Sequence, residues 1–543
     1  MVSRHAKLIT ASALGSILAK KFTPEYAPCD SYLWTAALIY VVGGTLLILY
    51  VNIIYPNLLS PLRHLPRPRG ANPFFGFFIT IFNNPAGEPQ KRWIREIPND
   101  GLIYYPHLFN SPRVLPTTPK ALAEVLVHKN YDFIKPWGVR QGLGRVLGIG
   151  ILLAEGDEHK HQRRALNPAF SFRHVKDLYP IFWGKAREVT EKMTAFVKGT
   201  DPLVSGPQET LEMANWASRV TLDIIGEAGL GNDFHAIQDP NNELNKTYRT
   251  IFRPDKQARI LQTLGFFLPT WFLRLLPVRR NEDFRRAITL IRKTCRDLIV
   301  SKKAQLEKGG EEQYDILSVA LQSGSFSDDN LVDQMMTFLA AGHETTASAM
   351  AWAMYHFCQH PEVQARLRSE VRANLPPISD ADVQITATMI DHMPYLNAVC
   401  NEVLRLIPPV TLTLRVAAKD TSIAGHFVPK GTTVVLAPAA INTHKALWGD
   451  NADEFNPDRW MGPGRANTGG ADSNYSFLTF LHGPRSCIGQ GFAKAEFACL
   501  LAAWMGRFEV TFADPNYKLE YQGGVTVKPK GGLECKVNVI EGW

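Results

Sequence analysis

The chain has 543 residues, with an ordinary globular composition of 45% hydrophobic and 20% charged residues. Its formal net charge of +8 permits attraction to an anionic membrane surface or an acidic partner, but no Lys/Arg block with interleaved aromatic residues indicates nucleic-acid binding. Its seven cysteines are odd in number and scattered, which argues against a disulfide framework and suits a reducing compartment.

The most apolar part of the chain lies near its N-terminus. Residues 31–60 contain no Asp, Glu, Lys, Arg or His. A helix over residues 32–55 would be about 36 Å long, enough to cross the hydrocarbon core of a bilayer. A removable signal peptide would be shorter and would start earlier. The sequence therefore predicts a permanent, single-pass transmembrane anchor at 32–55, preceded by an N-terminal segment, 1–31.

A second apolar stretch, 8–19, lies between Lys7 and the pair Lys20-Lys21. It is too short to span a bilayer comfortably. An interfacial helix, a signal-like remnant and part of a re-entrant hairpin all remain open. Basic residues also occur on both sides of the anchor, so the positive-inside rule gives no orientation.

The anchor is followed by a Pro-rich segment, predicted as a hinge over 56–72. Pro66 and Pro68 alternate with arginines, which favours a stiff, extended spacer. No second linker and no internal repeat follows, so residues 73–543 are predicted to form one large domain. Helical patterns dominate it, with strand-like pieces around 412–416 and 432–438. The predicted fold class is mainly α with minor β.

A long helix is predicted from Ser327, which can cap it, to about Gln359. Its interior contains Gly342, and a helical glycine costs ~1 kcal/mol relative to alanine. Small residues there make sense if a flat ligand lies against the helix. The adjacent acid and alcohol, Glu344 and Thr345, could bond local carbonyls and pass protons inward. Taken alone, the same residues would also suit a polar face in solvent.

The most informative segment is 480–489, which places Cys487 just before a helix predicted over 491–506. Backbone N–H groups and the positive helix end are expected to lower the pKa of this thiol. Arg485 can reach an anionic group on the same cofactor, and glycines at 483 and 489 allow close approach of a flat ligand. Cysteine thiolate is one of the proximal ligands of haem iron. A buried structural cysteine is the alternative for Cys487 alone.

Four motifs resemble those of the cytochrome P-450 family. Residues 480–489 match the haem loop F-x-x-G-x-R-x-C-x-G, and 341–346 match A-G-x-[DE]-T-[TS]. Glu402-x-x-Arg405, together with 455–460, resembles the E-x-x-R and F-x-P-x-R-[FW] segments. Residues 159–163 resemble W-x-x-x-R, with histidine in the tryptophan position. The resemblance covers essentially the whole domain after the anchor and is to membrane-anchored, microsomal members of eukaryotes.

This resemblance implies a single P-450-type haem domain and assigns roles to matching residues. Cys487 would be the axial ligand of the haem iron, and Glu344 with Thr345 would be catalytic. Glu402, Arg405 and Arg459 would form a buried structural network. The remaining residues expected to bind the haem or its propionates are His159, Arg163, Ala341, Gly342, Arg415, Phe480, Gly483, Arg485 and Gly489.

The resemblance also implies a monooxygenase that inserts one atom of O₂ into a lipophilic small molecule, by hydroxylation or epoxidation. Secondary-metabolite biosynthesis is favoured; fatty-acid or xenobiotic hydroxylation, a reductase-independent haem-thiolate isomerase or dehydratase, and a non-catalytic haem protein are the alternatives. No electron donor is built in, so the expected partner is an NADPH-dependent flavoprotein reductase. The expected location is the endoplasmic reticulum membrane, with the catalytic domain in the cytosol.

Overall fold

The computed structural model describes residues 2–26, 30–252, 256–265, 268–308, 315–380 and 382–543. Helices dominate these residues, as the apolar periodicity predicts. They are α1 (Val2–Phe22), α2 (Tyr32–Leu49), α3 (Phe78–Asn83), α4 (Glu88–Glu96), α5 (Pro119–Ala123), α6 (Trp137–Leu147), α7 (Gly156–Leu166), α8 (Phe172–Asp177), α9 (Tyr179–Lys198), α10 (Met213–Ile224), α11 (Glu243–Phe252), α12 (Lys256–Leu264), α13 (Thr270–Leu275), α14 (Arg279–Glu307), α15 (Ile316–Gln322), α16 (Asp328–Gln359), α17 (Pro361–Asn374), α18 (Ala387–Asp391), α19 (Pro394–Leu406), α20 (Pro438–Ile441), α21 (Lys445–Trp448) and α22 (Gln490–Arg507).

The strands are short and form a minor part of the fold. They are β1 (Leu102–Pro106), β2 (Pro112–Pro116), β3 (Phe133–Ile134), β4 (Thr210–Glu212), β5 (Thr413–Ala417), β6 (Thr421–Ile423), β7 (His426–Val428), β8 (Thr433–Leu436), β9 (Phe508–Phe512), β10 (Tyr521–Gln522), β11 (Lys528–Pro529) and β12 (Glu534–Val539). The larger sheet has the order β1-β2-β8-β5-β3, in which β2 and β8 are parallel. A second sheet has the order β4-β12-β9. The predicted class, mainly α with minor β, is confirmed.

Helix α16 runs through the main hydrophobic core. Its N-cap is Ser327, whose hydroxyl accepts a hydrogen bond from the Asn330 N–H, as the sequence predicts. Helices α9, α10 and α22 contribute to the same core, in which Trp352 of α16 and Trp504 of α22 are fully buried. The larger sheet forms a second core with the segments around it. The long helix is therefore held on several sides, which fixes the position of the motif inside it.

The anchor helix differs from the expected boundaries at its C-terminal end. Helix α2 continues as a π-helical segment, Tyr50–Leu59, and the whole stretch Tyr32–Leu59 is apolar enough to cross a membrane. The segment after it packs on the larger sheet, where Leu62 and Leu65 are buried and the Pro66 carbonyl accepts the Tyr104 N–H. Burial of the two leucines thus docks part of the expected spacer on the domain. The predicted boundaries between the anchor and the hinge, at 55/56, and between the hinge and the domain, at 72/73, stay predictions.

Candidate active site

A tight loop before α22 presents Cys487. The Cys487 N–H donates to the Phe480 carbonyl at 2.9 Å, which closes the loop. Gly483 has a φ of +76°, and a Cβ there would lie 2.2 Å from the Leu126 carbonyl oxygen. Only glycine fits this position without moving the backbone. Gly489 is the N-cap residue of α22, so the loop leads directly into that helix.

The Cys487 side chain has accessible surface although protein surrounds it. Burial raises the pKa of its thiol, while the Gly489 N–H and the Arg163 guanidinium oppose that rise. The N–H at the start of α22 thus lowers the pKa as the sequence predicts, but in the protein alone desolvation of the thiolate is the larger effect. A thiol that is accessible and yet desolvated borders an internal space, as a ligand of a buried group must.

Helix α16 has an accessible residue at its centre. Ala341 is exposed, whereas the flanking Ala340 and His343 are buried. Gly342, the second small residue expected to face the ligand, is half-buried. A Cβ on Gly342 would lie 2.8 Å from Cγ1 of Ile225, so its lack of a side chain also lets α16 pack closely against that residue. Ala341 is the more exposed of the two, and the contact of Gly342 with the haem stays a prediction.

One aromatic side chain connects α16 to the Cys487 loop. The Phe170 ring lies 5.5 Å from the Phe338 ring of α16, measured between centroids. A Cβ placed on Gly489 would lie 3.6 Å from the same Phe170 ring. Phe338 is one helical turn before Ala341, and Gly489 follows Cys487 by two residues. The accessible Ala341 and the accessible thiol are thus on segments brought together inside the domain.

A cluster of buried cations lies beside this loop. Arg485 donates through Nη1 to the Phe133 carbonyl at 2.9 Å and pairs through Nη2 with Glu155. Its Nε is buried without a hydrogen-bond partner among the described residues. Arg415 on β5 is 5% exposed, and desolvation lowers its pKa to about 10. A buried guanidinium with an unused N–H indicates a missing acceptor.

His159 and Arg163 lie one helical turn apart on α7, as expected. Nδ1 of His159 lies 3.1 Å from the Tyr131 hydroxyl. Burial, reinforced by nearby cations, lowers the pKa of His159 to about 4, so the ring is neutral. Arg163 donates through Nη1 to the Ser486 carbonyl at 2.6 Å. At least part of the Arg163 guanidinium thus braces the Cys487 loop instead of facing an external anion.

The structure adds Lys135, which the sequence analysis missed. Its side chain is buried, and desolvation lowers the pKa of Lys135 to about 7. The charged groups acting on it include three guanidinium groups, those of Arg415, Arg485 and Arg140, and one carboxylate, Glu155. The signal available in the sequence was one lysine inside the otherwise largely apolar stretch 133–147.

These features fit a haem. Its iron takes a cysteine thiolate, and its two propionates need cationic or N–H partners. The chain offers an accessible, desolvated thiol at Cys487 and a small, accessible residue at Ala341. It also offers an excess of buried cations, one with an unused Nε–H. The donor set and the charge excess match the group that the sequence predicts.

Glu344 and Thr345 point to different partners. The Thr345 hydroxyl donates to the Ala341 carbonyl at 2.8 Å, within the helix. Glu344 is buried, and its Oε1 accepts from the Thr526 hydroxyl and from Lys528 Nζ, each at 2.9 Å. The acid is thus tied to the segment carrying β11, while the alcohol stays on the helix backbone.

The three residues expected to form a structural network lie together. Glu402 and Arg405 form a bidentate pair, with both N···O distances 2.8 Å and both side chains fully buried. Glu402 also accepts from the Asn456 N–H and the Trp460 indole N–H, each at 2.9 Å. Arg459 Nε lies 3.6 Å from the same carboxylate. Both oxygens of this buried carboxylate are therefore well supplied with donors.

Comparison with known proteins decides the family. The family model Cytochrome P450 matches residues 66–535, most of the chain. The chain belongs to the cytochrome P450 family. The P450 match confirms the predicted fold, the enzyme class and the thiolate-ligated haem cofactor.

Three similar P450 proteins cover nearly the whole chain. Cytochrome P450 monooxygenase sphH of Aspergillus fumigatus is 48% identical over 535 residues, 98% of each chain. Monooxygenase ALT8 of Alternaria alternata is 42% identical over 596 residues, with 98% and 99% covered. Monooxygenase FUM15 of Gibberella moniliformis is 41% identical over 536 residues, 90% of each. These relatives confirm the predicted monooxygenase and support its place in secondary metabolism. A P450 of this kind uses O₂, a lipophilic substrate and a redox partner.

Proposed function

We propose that the chain is a haem-thiolate monooxygenase of fungal-type secondary metabolism, with Cys487 as the axial ligand. The observation that carries this proposal is the accessible, desolvated thiol in a loop that only Gly483 permits. The haem would lie between that loop and Ala341 of α16. When bound, it supplies O–O bond cleavage and transfer of an oxygen atom to the substrate.

Cationic side chains would hold the two propionates. Arg485 contributes an unused Nε–H, and Arg415 and Lys135 contribute desolvated positive charge. His159 is neutral and can donate one ring N–H, as tryptophan does at this position in the family motif. Charge-assisted hydrogen bonds would stabilise the cluster, which in the protein alone has too few anions.

Proton delivery is proposed for Glu344 and Thr345. Glu344 borders a small cavity of about 40 Å³ whose other lining residues include the half-exposed polar residues Glu212, Asn215, Arg249 and Lys528 and the buried Ser218. Solvent protons can reach the buried carboxyl through this cavity. The neighbouring Thr345 hydroxyl, bonded to the Ala341 carbonyl, would then carry a proton towards the interior side of α16. Glu402, Arg405 and Arg459 act only as bracing.

The substrate is proposed to be a lipophilic secondary metabolite. By resemblance to the family, four largely apolar stretches are proposed to contact it: 133–147, 338–341, 409–413 and 523–525. The last two approach each other, because the Val527 N–H donates to the Pro409 carbonyl at 3.0 Å. A fatty acid or a xenobiotic would suit the same surfaces. No observation in the site favours peroxide isomerisation, for which an acid–alcohol pair is dispensable.

Electrons are proposed to come from an NADPH-dependent flavoprotein. A groove of about 780 Å³ includes the basic residues Arg173, His174 and Lys176 of α8 in its lining. Helix α8 lies beside the start of α22, since a Cβ on Gly491 would be 4.0 Å from Val175. This basic surface near the Cys487 loop suits an acidic partner. Lys494, which follows Cys487 by seven residues, is a weaker docking candidate, because it donates to Asn401 at 2.8 Å and is partly buried.

The membrane is proposed to be the endoplasmic reticulum, with the haem domain in the cytosol. Among the described residues, the helix Tyr32–Leu59 is long and apolar enough to anchor the chain. Exposed apolar residues beyond the anchor, among them Trp271, Phe272 and Leu275 of α13, would rest on the same bilayer. The neighbouring Phe266 and Phe267 belong to the same apolar stretch of the sequence, 264–278, and lie outside the described residues.

A spectrum of the reduced, CO-treated protein tests the central assignment. Microsomes carrying the chain should give the strongly red-shifted Soret band of a thiolate-ligated haem, and Cys487→Ser should lose it. Cys358→Ser is the matched control, because Cys358 is a half-buried thiol that lies outside the Cys487 loop. With reductase and NADPH, one atom of ¹⁸O₂ should enter a lipophilic product. A Soret band typical of imidazole-ligated haem in the unchanged chain would overturn the proposal.

A further inference from the structure

Helices α1 and α2 pack against each other as an antiparallel pair. The Ser16 hydroxyl donates to the Tyr32 carbonyl at 2.6 Å. At the other end, a Cβ on Gly43 would lie 3.3 Å from Cδ1 of Leu8. Contacts that join late α1 to early α2, and early α1 to late α2, define an antiparallel hairpin.

The two helices have an inside-out distribution of side chains. Their contact face is small and polar, since Ser12, Ser16 and Thr35 are buried and Gly15 lies against Ile39. Their outer faces expose large apolar side chains: Ile9, Leu14, Ile17, Leu18 and Phe22 on α1, and Leu33, Trp34, Leu38, Val41, Val42 and Leu46 on α2. A pair in water would bury these side chains. Small residues inside and large apolar residues outside are typical of helix pairs in a bilayer.

The polar groups of α1 are also satisfied in a way that suits lipid. The Thr10 hydroxyl donates to the Ala6 carbonyl at 3.0 Å, and the Ser12 hydroxyl to the Leu8 carbonyl at 2.7 Å. In hydrocarbon, hydroxyl groups need such partners because water is absent. The hydroxyl groups of Thr10 and Ser12 are thus compatible with the membrane interior.

The contacts at the C-terminal end of α2 indicate which part of the helix lies within the bilayer. Beyond Leu49 the helix packs on the haem domain, where Pro56 is buried and Asn110 donates to the Asn52 carbonyl. The remaining part, Tyr32–Leu49, is about 27 Å long, close to the hydrocarbon thickness. The antiparallel pairing places the first turns of α1 near the end of α2 that adjoins the haem domain.

The charges of the chain agree with this arrangement. In a hairpin, Arg4 and Lys7 lie on the side of the haem domain, with Arg63, Arg67 and Arg69. The basic residues at the opposite end, Lys20 and Lys21, are balanced formally by the acidic residues Glu25 and Asp30. A single-pass anchor would instead put all four N-terminal basic residues across the membrane. The positive-inside rule therefore favours the hairpin.

We propose that α1 enters the bilayer beside α2 as a helical hairpin anchor, so that the N-terminus and the haem domain lie on the same side of the membrane. The partner of the exposed apolar faces is the lipid bilayer. The inference rests on the proposed anchoring by α2 and replaces the single-pass expectation. Residues 8–19 give only about 18 Å of helix, and Lys7 and Lys20 reach the two interfaces by extending their side chains.

Epitope access in sealed microsomes tests the topology. Full-length chains carry a tag at the N-terminus or at the C-terminus, and a third version carries the substitution Thr23→Cys at the hairpin tip. Before detergent, both tags should be accessible to antibody or protease. The introduced thiol, placed in a chain that carries Cys29→Ser, should react with a membrane-impermeant maleimide only after detergent, and the Cys29→Ser chain without it is the labelling baseline.

Each other outcome has a separate meaning. A protected N-terminal tag with an accessible C-terminal tag overturns the hairpin and leaves the proposed cytosolic haem domain standing. Labelling of the introduced thiol in intact microsomes also overturns the crossing, because both helices would then lie on the cytosolic surface. A protected C-terminal tag contradicts the proposed orientation of the haem domain itself. The CO spectrum, recorded on the same membranes, reports on the haem site independently.

Discussion

Lys528 Nζ lies 2.9 Å from Glu344 Oε1, so a residue of strand β11 holds the acid of the long helix. The segment that carries Lys528 is itself fixed to α16. The Ser348 hydroxyl and the Trp352 indole N–H both donate to the Val527 carbonyl, at 2.7 and 3.0 Å. The Glu344 carboxyl is therefore directed to the small polar cavity by contacts outside its own helix.

Replacing Lys528 by methionine should misdirect the Glu344 carboxyl without touching the haem or the substrate. The expected result is a fall of about tenfold in product formed per NADPH consumed, with hydrogen peroxide released instead, which corresponds to ~1.4 kcal/mol. The solvent isotope effect on product formation should change as well. Lys528→Arg keeps a donor and should restore coupling. Equal coupling in the methionine variant and the unchanged chain would contradict the proposed proton route.

Gly483 should be indispensable for conformational and steric reasons together. Gly483→Ala would place a Cβ 2.2 Å from the Leu126 carbonyl oxygen, at a φ of +76°. The loop must then shift, and the band of the thiolate-ligated CO complex should be lost or greatly reduced.

Gly462→Ala is the matched control for that loss. Its φ is +95°, but no atom lies within 4 Å of the added Cβ. Gly462→Ala should lower the free energy of unfolding by only the ~1–2 kcal/mol that an alanine costs in the left-handed region. The spectrum of its CO complex should be unchanged. Equal loss in both variants would mean that the clash with Leu126 is not the cause.

The Glu402–Arg405 pair should be needed for folding rather than catalysis. Glu402→Gln removes the charge partner of a fully buried guanidinium, which costs ~3–5 kcal/mol. Asp458→Asn breaks an exposed pair with Arg366, at 2.7 Å, and should cost less than ~1 kcal/mol. The yield of holoprotein and its Tm measure both effects. A stable, well-folded Glu402→Gln protein with impaired turnover would contradict the structural role.

The sequence predicted what local patterns encode. The cap at Ser327, the end of α16 at Gln359 and the start of α22 near Gln490 follow from capping, prolines and apolar periodicity. It missed what only three-dimensional packing decides. Gly342 packs closely against Ile225, a residue of another segment, and a Cβ there would lie 2.8 Å from Cγ1 of that side chain. The pKa of Cys487 rises because of desolvation, which no one-dimensional pattern reports.

The cluster of buried cations shows the same limit of sequence-based prediction at the candidate active site. Arg415 and Arg485 could be selected by motif position, whereas Lys135 belongs to no motif and joins them only through folding. The sequence was also not sufficient to predict which group Arg163 contacts. Its spacing from His159 predicted a shared anion, but its nearest acceptor is the Ser486 carbonyl, more than three hundred residues away in sequence.

Removing Lys135 should weaken retention of the haem. A hydrogen bond to a charged group contributes ~1.5–3 kcal/mol, so Lys135→Met should speed haem transfer to an excess of apomyoglobin by about tenfold or more. Arg164→Met is the control, because Arg164 is exposed on α7 beside the site. Transfer at the same rate in all three proteins would show that Lys135 does not contact the propionates.

In the haem-free protein, the same substitution, Lys135→Met, should stabilise the fold, whereas in the haem-bound protein it should weaken retention of the haem. Lys135 of the haem-free protein has a pKa of about 7, against an ordinary value near ~10.4 in the unfolded chain. Between these values the unfolded chain binds more protons, so the stability of the haem-free protein rises with pH from about 7 to ~10. Lys135→Met removes the buried charge and should raise Tm at pH 7, with a gain that shrinks towards pH 10. Lys135→Arg stays charged throughout and should show no such gain. A Tm difference independent of pH would exclude a desolvated lysine at this position.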